Sequence, residues 1–246
     1  MVLKQEQNMK NIINITIVSI IILLLVNCTN EDITVEPDPF VDHTGEVGSV
    51  TDIDGNVYAT IGIGSQIWMA ENLKVTHYRN GDPVPNLTDN TEWSNTTDGA
   101  YCYYNNDPNL AEVYGLLYNW YAVKDNRNIA PEGWHVPTEE EWDILINWLG
   151  GEEIAGSKLK ESGNAHWISN SDADNESGFT GLPGGMKLGI YYINLYNQGV
   201  FRTSSYWNIG GQYWPVNYSL HCDSINCDTY TLPYKEMGVS VRCVKD

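Results

Sequence analysis

One stretch of the sequence, Pro131–Trp142, reads PEGWHVPTEEEW and puts His135 close to three consecutive glutamates. An imidazole beside carboxylates can bind a metal ion or exchange protons with a substrate. A two-histidine metalloprotease site needs ligands one helical turn apart on one helix, and here a single histidine precedes the predicted helix. Thr138 and Glu141 instead have the spacing of a capping box. The stretch therefore predicts the start of a helix rather than an active site.

A second acidic cluster lies in the segment SDADNESG, where Asp172, Asp174 and Glu176 occupy alternate positions. Calcium prefers six to eight oxygen ligands, and one loop with this spacing can supply several of them. The pattern is not that of an EF-hand, because the glycine at the sixth place and the distal glutamate are missing. Two interpretations stay open, a calcium site and a solvated acidic loop.

Tyrosine and tryptophan are frequent, with sixteen Tyr and nine Trp against three Phe. Tyr206, Trp207, Tyr213 and Trp214 lie close together in the C-terminal half, with polar residues nearby. Such rings combine an apolar face with a polar tip, which suits stacking on sugar rings. We predict that these four residues bind a ligand. The alternative is that they fill the core, and the solvent exposure of Trp207 and Trp214 distinguishes the two.

Four cysteines follow residue 100, namely Cys102, Cys222, Cys227 and Cys243. An even number of cysteines predicts disulfides if the domain is exported, and three connectivities are then possible. Cys222 and Cys227 flank a four-residue loop, so a local bridge would close easily and leave Cys102 to pair with Cys243. Zinc is the alternative, but the spacing lacks paired CxxC motifs.

The N-terminal segment has the pattern of an export signal. Two lysines precede an apolar run, Asn11–Val26, which is short for a spanning helix and ends just before Cys28. The four residues LVNC at its end resemble a bacterial lipobox. We predict a lipoprotein signal peptide over residues 1–27, starting at Met1 or Met9, and lipidation of Cys28. An uncleaved N-terminal anchor is the alternative.

Residues 28–46 are rich in Asp, Glu, Thr and Pro and predict a polar tether. Glu31 and Asp32 resemble the acidic surface-export signal of Bacteroidetes lipoproteins. The predicted location is the bacterial cell envelope, as an outer-membrane lipoprotein, with exposure at the cell surface as a further expectation.

Residues 47–246 show no second linker and are long enough for one domain with its own core. The net charge is −19 and the pI is about 4.4, and no basic stripe is present, which argues against a nucleic acid partner. No Ser/His/Asp order or glycine-rich phosphate loop stands out. With 32 acidic residues, no glycosidase pair can be selected. The domain is therefore predicted to be non-catalytic.

Hydrophobic periodicity predicts strands, then two helices, then strands. The predicted strands lie near Ser49–Ile53, Val57–Ile63, Gln66–Glu71, Gly199–Tyr206, Gln212–Tyr218 and Gly238–Asp246. The last of them alternates polar and apolar residues, which predicts one buried face. The predicted helices are Glu112–Val123 and a second one that starts at Thr138 and ends at Gly150-Gly151. This order indicates an α+β fold.

Six ordered blocks resemble the Fibrobacter succinogenes major paralogous domain, from about Val47 to the C-terminus. The blocks are IGSQIWMAENLK, YGLLYNWYAV, PEGWHVPTEEEW, AGSKLKESG, NESGFTGLPGG and GVSVRCVKD. Domains of this family occur in exported bacterial proteins, often lipoproteins, and have no settled activity. Many members carry a cysteine before the GWHVP block, as if to pair with the final strand. This chain has none, so Cys243 pairs with Cys102 or another partner, or stays free.

The resemblance implies a C-type-lectin-like fold, shared with formylglycine-generating-type enzymes. Such a fold has two helices on a small twisted antiparallel sheet, adjacent termini and long irregular loops that carry function. The expectation is a lipid-anchored protein that binds a glycan or a surface partner without catalysis. A structural or protein-interaction module and a divergent enzyme are the alternatives.

Overall fold

The computed structural model describes residues 41–170 and 172–246. The predicted signal peptide, the lipidated Cys28 and most of the tether lie outside these residues and stay predictions. Residues 41–246 form one compact unit. Among the described residues, no helix is both long and apolar enough to cross a membrane.

Strands and short helices alternate along the described chain. The strands are β1 Val47–Thr51, β2 Val57–Ile63, β3 Gln66–Met69, β4 Tyr101–Cys102, β5 Leu117–Tyr118, β6 Trp134–His135, β7 Met186–Leu188, β8 Tyr191–Ile193, β9 Gln198–Ile209, β10 Gln212–His221, β11 Cys227–Thr231 and β12 Val244–Lys245. The α-helices are α1 Asn90–Asn95, α2 Ala111–Tyr114, α3 Trp120–Lys124, α4 Glu139–Trp148 and α5 Glu152–Leu159. Two 3-10 turns lie at Tyr104–Asn106 and Pro108–Leu110. The fold mixes α and β structure, as predicted.

The strand pairs are antiparallel. A five-stranded sheet has the order β1-β2-β3-β12-β6, so the first and last strands of the domain share one sheet. A three-stranded sheet has the order β11-β10-β9, and β4-β5 and β7-β8 form two-stranded sheets. The three N-terminal strands lie where the alternation predicts them. In β2, for example, Tyr58 and Thr60 are buried, whereas Val57 and Ala59 are exposed.

The predicted helix Glu112–Val123 is wrong. Two short helices, α2 and α3, replace it, and they flank the strand β5. Gly115 ends α2 at a φ of +72°, a left-handed conformation that only glycine adopts without strain. A Cβ there would lie 2.8 Å from the carbonyl oxygen of Leu73. The chain then restarts at Asn119, whose side chain accepts a hydrogen bond from the Ala122 N–H and caps α3.

The second predicted helix is confirmed as α4. The Thr138 hydroxyl accepts from the Glu141 N–H, and the Glu141 carboxylate accepts from the Thr138 N–H, which completes the capping box. Two glycines with positive φ, Gly150 and Gly151, separate α4 from α5. Helix α5 was not predicted, because its small residues give it only a weak apolar face.

The C-terminal segment Gly238–Asp246 was predicted as a strand with one buried face, and this is wrong on both counts. Only Val244–Lys245 forms a strand, and residues 238–244 are buried on both sides. The Cys243 carbonyl accepts from the Met69 N–H on one side, and the Ser240 carbonyl accepts from the Arg202 N–H on the other. The segment therefore runs through the core between two sheets, which buries its polar side chains as well.

Candidate functional site

The hairpin of β9 and β10 is the longest strand pair among the described residues and carries the four predicted ligand-binding aromatics. Gly210 and Gly211 join the two strands with φ values of +61° and +84°, which fits a two-residue turn with left-handed geometry at both positions. The base of the hairpin is buried and its tip, from Tyr206 onward, is exposed. The tip therefore projects aromatic side chains away from the core.

The register divides the four aromatics between two faces of the hairpin. Trp207 lies opposite Trp214, and Tyr213 lies opposite Asn208. Directly opposed residues share a face and successive residues alternate, so the tyrosines lie on one face and the tryptophans on the other. The four residues thus lie on two surfaces of the hairpin, and their role in ligand binding stays a prediction.

The hairpin face that carries the tyrosines contacts residues from other segments of the chain. We name the whole surface the tyrosine face, and it consists of Trp120, Lys124, Tyr206, Tyr213 and Lys235. Tyr206 is 43% exposed and contacts the equally exposed Tyr213 edge-on, with ring centroids 4.7 Å apart. It also meets the buried Trp120 of α3 at 5.9 Å. The rings thus form a partly exposed cluster supported from below by Trp120.

Two ammonium groups lie over the rings of the tyrosine face. Lys124 Nζ is 5.7 Å from the Tyr206 ring centroid. Lys235 Nζ is 5.3 Å from the Trp120 ring and 5.5 Å from the Tyr213 ring. Attraction to the ring faces restricts where these long side chains point.

A groove of about 430 Å³ adjoins the tyrosine face. Its lining combines aromatic, polar and charged groups. The lining residues are Tyr121, Gly211, Gln212, Tyr213, Pro233, Lys235 and Glu236. Partial burial, together with the neighbouring Glu236 carboxylate, raises the pKa of Tyr121, so its hydroxyl stays protonated. The groove thus offers ring faces for stacking and several groups that can donate or accept hydrogen bonds.

The opposite face of the hairpin, which carries Trp207 and Trp214, contacts helix α4. Trp207 is 45% exposed, but its indole N–H donates to both carboxylate oxygens of Glu139, at 3.1 and 3.0 Å. Trp214 is half-buried. The indole of Trp207 therefore ties the hairpin to the first turn of α4. Its exposure places Trp207 outside the core, whereas Trp214 lies at the edge of the core, so exposure alone does not select one face as the ligand surface.

The three predicted calcium ligands are exposed and are not gathered into one cluster. Asp174 accepts from the Glu176 N–H and shapes its own loop, while Glu176 pairs with Lys158 at 3.0 Å. In residues 41–170 and 172–246, no group of three or more His, Cys, Asp or Glu side chains is placed to hold a metal ion. The calcium site stays a prediction.

The predicted disulfides are not found, since all four cysteines are free thiols. Cys102, Cys227 and Cys243 are buried in three different hydrophobic clusters, which separates the pair predicted for Cys102 and Cys243. Cys227 pairs in register with Leu220, and the Cys222 thiol points to the Asn197 side chain. Burial raises the pKa of Cys102 to about 12, so this thiol is unreactive at neutral pH.

His135 lies between two carboxylates. Its Nε2 is 2.7 Å from Glu141 Oε1, and its Nδ1 is 2.6 Å from Asp246 Oδ1. The hydrogen bond to Glu141, and then the one to Asp246, raise the pKa of His135 against the effect of its burial. Burial would raise the pKa of Glu141, but the contacts with His135 and Thr138 outweigh it and lower that pKa. The imidazolium therefore joins helix α4 to the chain end.

This ion pair predicts a pH dependence of stability. A raised His135 pKa gives stabilisation that is complete below the unfolded value of 6.5 and is lost as pH rises through the folded value. The lowered Glu141 pKa gives stabilisation above 4.5 that is lost as pH falls. Thermal melts of the wild type and His135→Gln should differ by about 1 kcal/mol near pH 6, a figure reduced for solvent screening. The difference should shrink as pH rises through the raised pKa of His135, and a constant difference would contradict the assignment.

The site also contains four residues that are not among those predicted from the sequence: Trp120, Lys124, Lys235 and Glu236. Trp120 and Lys124 are four residues apart, a spacing that places both on one helical face. The spacing is visible in the sequence, but the predicted helix Glu112–Val123 contains Trp120 and stops before Lys124. Nothing in the sequence places Lys235 and Glu236 next to the hairpin, since their contact depends on the tertiary fold.

The fold and site define a mixed α/β domain, mostly antiparallel in its sheets, that presents an aromatic hairpin and an adjoining groove. Residues 61–245 match the family model of the Fibrobacter succinogenes major domain, and the chain belongs to this family. No curated protein and no solved structure matches the chain.

Proposed function

We propose that this protein is a lipid-anchored component of the cell envelope that binds glycans through the tyrosine face and its groove, without catalysis. The observation that carries the proposal is the exposed pair Tyr206 and Tyr213 beside a groove with Gln212 and Glu236. Sugar-binding sites combine flat aromatic rings with polar groups for the hydroxyls, and this surface offers both.

The envelope location rests on the sequence before the described domain. The apolar run Asn11–Val26 and the following Cys28 have the pattern of a lipoprotein signal. Outer-membrane anchoring of Cys28 would place the domain outside the cytoplasm, where glycans are available. Cys28→Ala should abolish lipid labelling and membrane association, and unchanged processing and association would contradict this part of the proposal.

A C-type-lectin-like fold is the finer proposal for the architecture. Three features support it: β1 and β12 share one sheet, helices α4 and α5 follow each other directly, and long irregular segments connect the sheets. In such a fold the irregular half carries the ligand surface, and the β9-β10 hairpin lies in that half of this chain. An experimental structure that places the strands in a different topology would overturn this assignment.

Replacement of a stacking ring tests glycan binding. We expect Tyr213→Ala to weaken binding about tenfold, since a ring contact contributes about 0.5–1.5 kcal/mol beyond its buried area. The matched control is Tyr191→Ala, which removes an exposed tyrosine from the separate β7-β8 hairpin. The measurement is a glycan array with the full chain, run with and without calcium, followed by titration of the best ligand.

The outcomes separate the alternatives. Equal losses in the two variants would show that the tyrosine face has no special role. No binding to any glycan, with or without calcium, would overturn the proposed function. Binding that needs calcium and is lost with Asp174→Asn would move the ligand site to the acidic loop.

A further inference from the structure

Exposed cationic side chains of this domain mostly pair with carboxylates. Lys74 lies 3.0 Å from Glu112, and Arg127 lies 2.7 Å from Asp125. This pairing is expected in a chain with 32 acidic and 13 basic residues. An ammonium group that has no neighbouring carboxylate is therefore unusual in this domain and needs an explanation.

Lys124, which is exposed, and Lys235, which is half-buried, are both exceptions to this pairing. Within the described part of the chain neither has a carboxylate at ion-pair distance, and both ammonium groups lie over aromatic rings. Lys245 is also exposed and without such a partner, but it belongs to the five-stranded sheet. Two unpaired ammonium groups thus flank one cluster of rings.

Stability alone does not explain this arrangement. Like charges on one surface repel each other, and each cation–π contact at an exposed site contributes only about 0.5–1 kcal/mol. Lys235 does, however, line the groove, and Lys124 lies over Tyr206, whose ring contacts the groove residue Tyr213. An ammonium group has three N–H donors, and a ring face leaves them able to bind an anion. An anionic group placed between them would gain charge-assisted hydrogen bonds and remove the repulsion.

We propose that the groove recognises a carboxylated sugar, that is, a hexuronic acid unit of an acidic polysaccharide; this inference rests on the proposed glycan binding. The sugar ring stacks on Tyr213, and its carboxylate lies near Lys124 and Lys235. Gln212 and Glu236 bind the hydroxyl groups. The negative charge of Glu236 repels the sugar carboxylate and so fixes its orientation toward the lysines.

Pairs of ligands that differ only in the sugar carboxylate measure the contribution of that carboxylate to the affinity. Short oligomers of galacturonic, glucuronic and mannuronic acid, each beside its neutral methyl ester, present the same rings with and without charge. Calorimetric titration of the full chain should show at least one acid binding about tenfold more tightly than its ester, which corresponds to about 1.4 kcal/mol. The ester comparison is preferable to a salt series, since salt also screens the repulsion between ligand and an acidic protein.

Variants assign the preference to the two lysines. Lys124→Gln with Lys235→Gln should reduce the ratio of acid affinity to ester affinity from about tenfold to about one. Lys245→Gln is the control, because it removes an exposed, unpaired lysine from another surface. A preference that survives the double variant would overturn the assignment.

The remaining outcomes separate this inference from the proposed function. Equal affinity for acid and ester in all three series, or binding of neutral glycans alone, would overturn the inference and leave glycan binding intact. Absence of binding to every glycan would overturn both.

Discussion

Arg242→Met is expected to lower the free energy of unfolding by about 3–5 kcal/mol. The Arg242 guanidinium is buried and donates to Asn72 Oδ1 at 3.1 and 2.8 Å and to the backbone carbonyls of Phe179 and Thr180. Each buried acceptor that loses its donor costs about 1–3 kcal/mol, and relief of the desolvated charge offsets part of this sum.

A second buried arginine provides the matched control. Arg202 donates to the Met237 carbonyl at 2.7 Å, but its Nε and Nη1 groups have no hydrogen-bond partner among the residues that the structure describes. Arg202→Met removes one hydrogen bond together with a poorly satisfied charge, so it should change stability by about 1 kcal/mol or less. Burial lowers the pKa of both guanidinium groups, and both stay charged at neutral pH.

Urea unfolding of the two variants, followed by tryptophan fluorescence and circular dichroism, measures the difference. We expect Arg242→Met to be less stable than Arg202→Met by at least about 2 kcal/mol. Equal losses would contradict the view that satisfied hydrogen bonds, rather than burial of the charge, make Arg242 stabilising.

Features that depend on neighbouring residues in the chain could be predicted from the sequence. The Thr138–Glu141 capping box sets the start of α4 whatever the helix packs against. The alternation in β2 likewise requires only that one face of the strand be buried. These are the elements whose predicted limits agree with the structure within one or two residues.

Features that depend on tertiary contacts could not be predicted. The apolar spacing of YGLLYNWYAV suggests one helix, but Gly115 packs against Leu73 and divides it. The alternation in the last strand suggests an exposed Arg242, yet Asn72 and the Phe179 carbonyl supply polar partners inside the core. Periodicity indicates which residues are apolar, not which polar residues find partners when buried.

In the candidate site, too, local features could be predicted from the sequence and tertiary contacts could not. The abundance of tyrosine and tryptophan identified the hairpin, because residue type alone suggests a binding surface. The separation of Tyr206 from Trp207 follows from strand pairing, which alternates the faces. The approach of Lys235 to Tyr213 depends on a loop that returns after β11, and residue types do not reveal it.

Trp142→Ala is expected to lower the free energy of unfolding by about 3–5 kcal/mol, a large share of the total for a domain of this size. Trp142 is fully buried and stacks on Tyr218, with ring centroids 4.8 Å apart and planes 12° apart. It also contacts Trp68 edge-on at 5.2 Å and lies 5.6 Å from Phe179. These rings come from separate elements, so loss of the indole opens a cavity where α4 meets both large sheets.

Ile144→Ala, on the exposed side of the same helix, is the control and should change stability by about 0.5 kcal/mol or less. Trp142→Phe keeps a ring in the site and should give an intermediate loss, which stays measurable if the alanine variant fails to fold. Chemical denaturation followed by circular dichroism ranks the three variants. A loss for Trp142→Phe no greater than that for Ile144→Ala would contradict the placement of Trp142 at the centre of the core, and with it the inference that PEGWHVPTEEEW serves folding rather than chemistry.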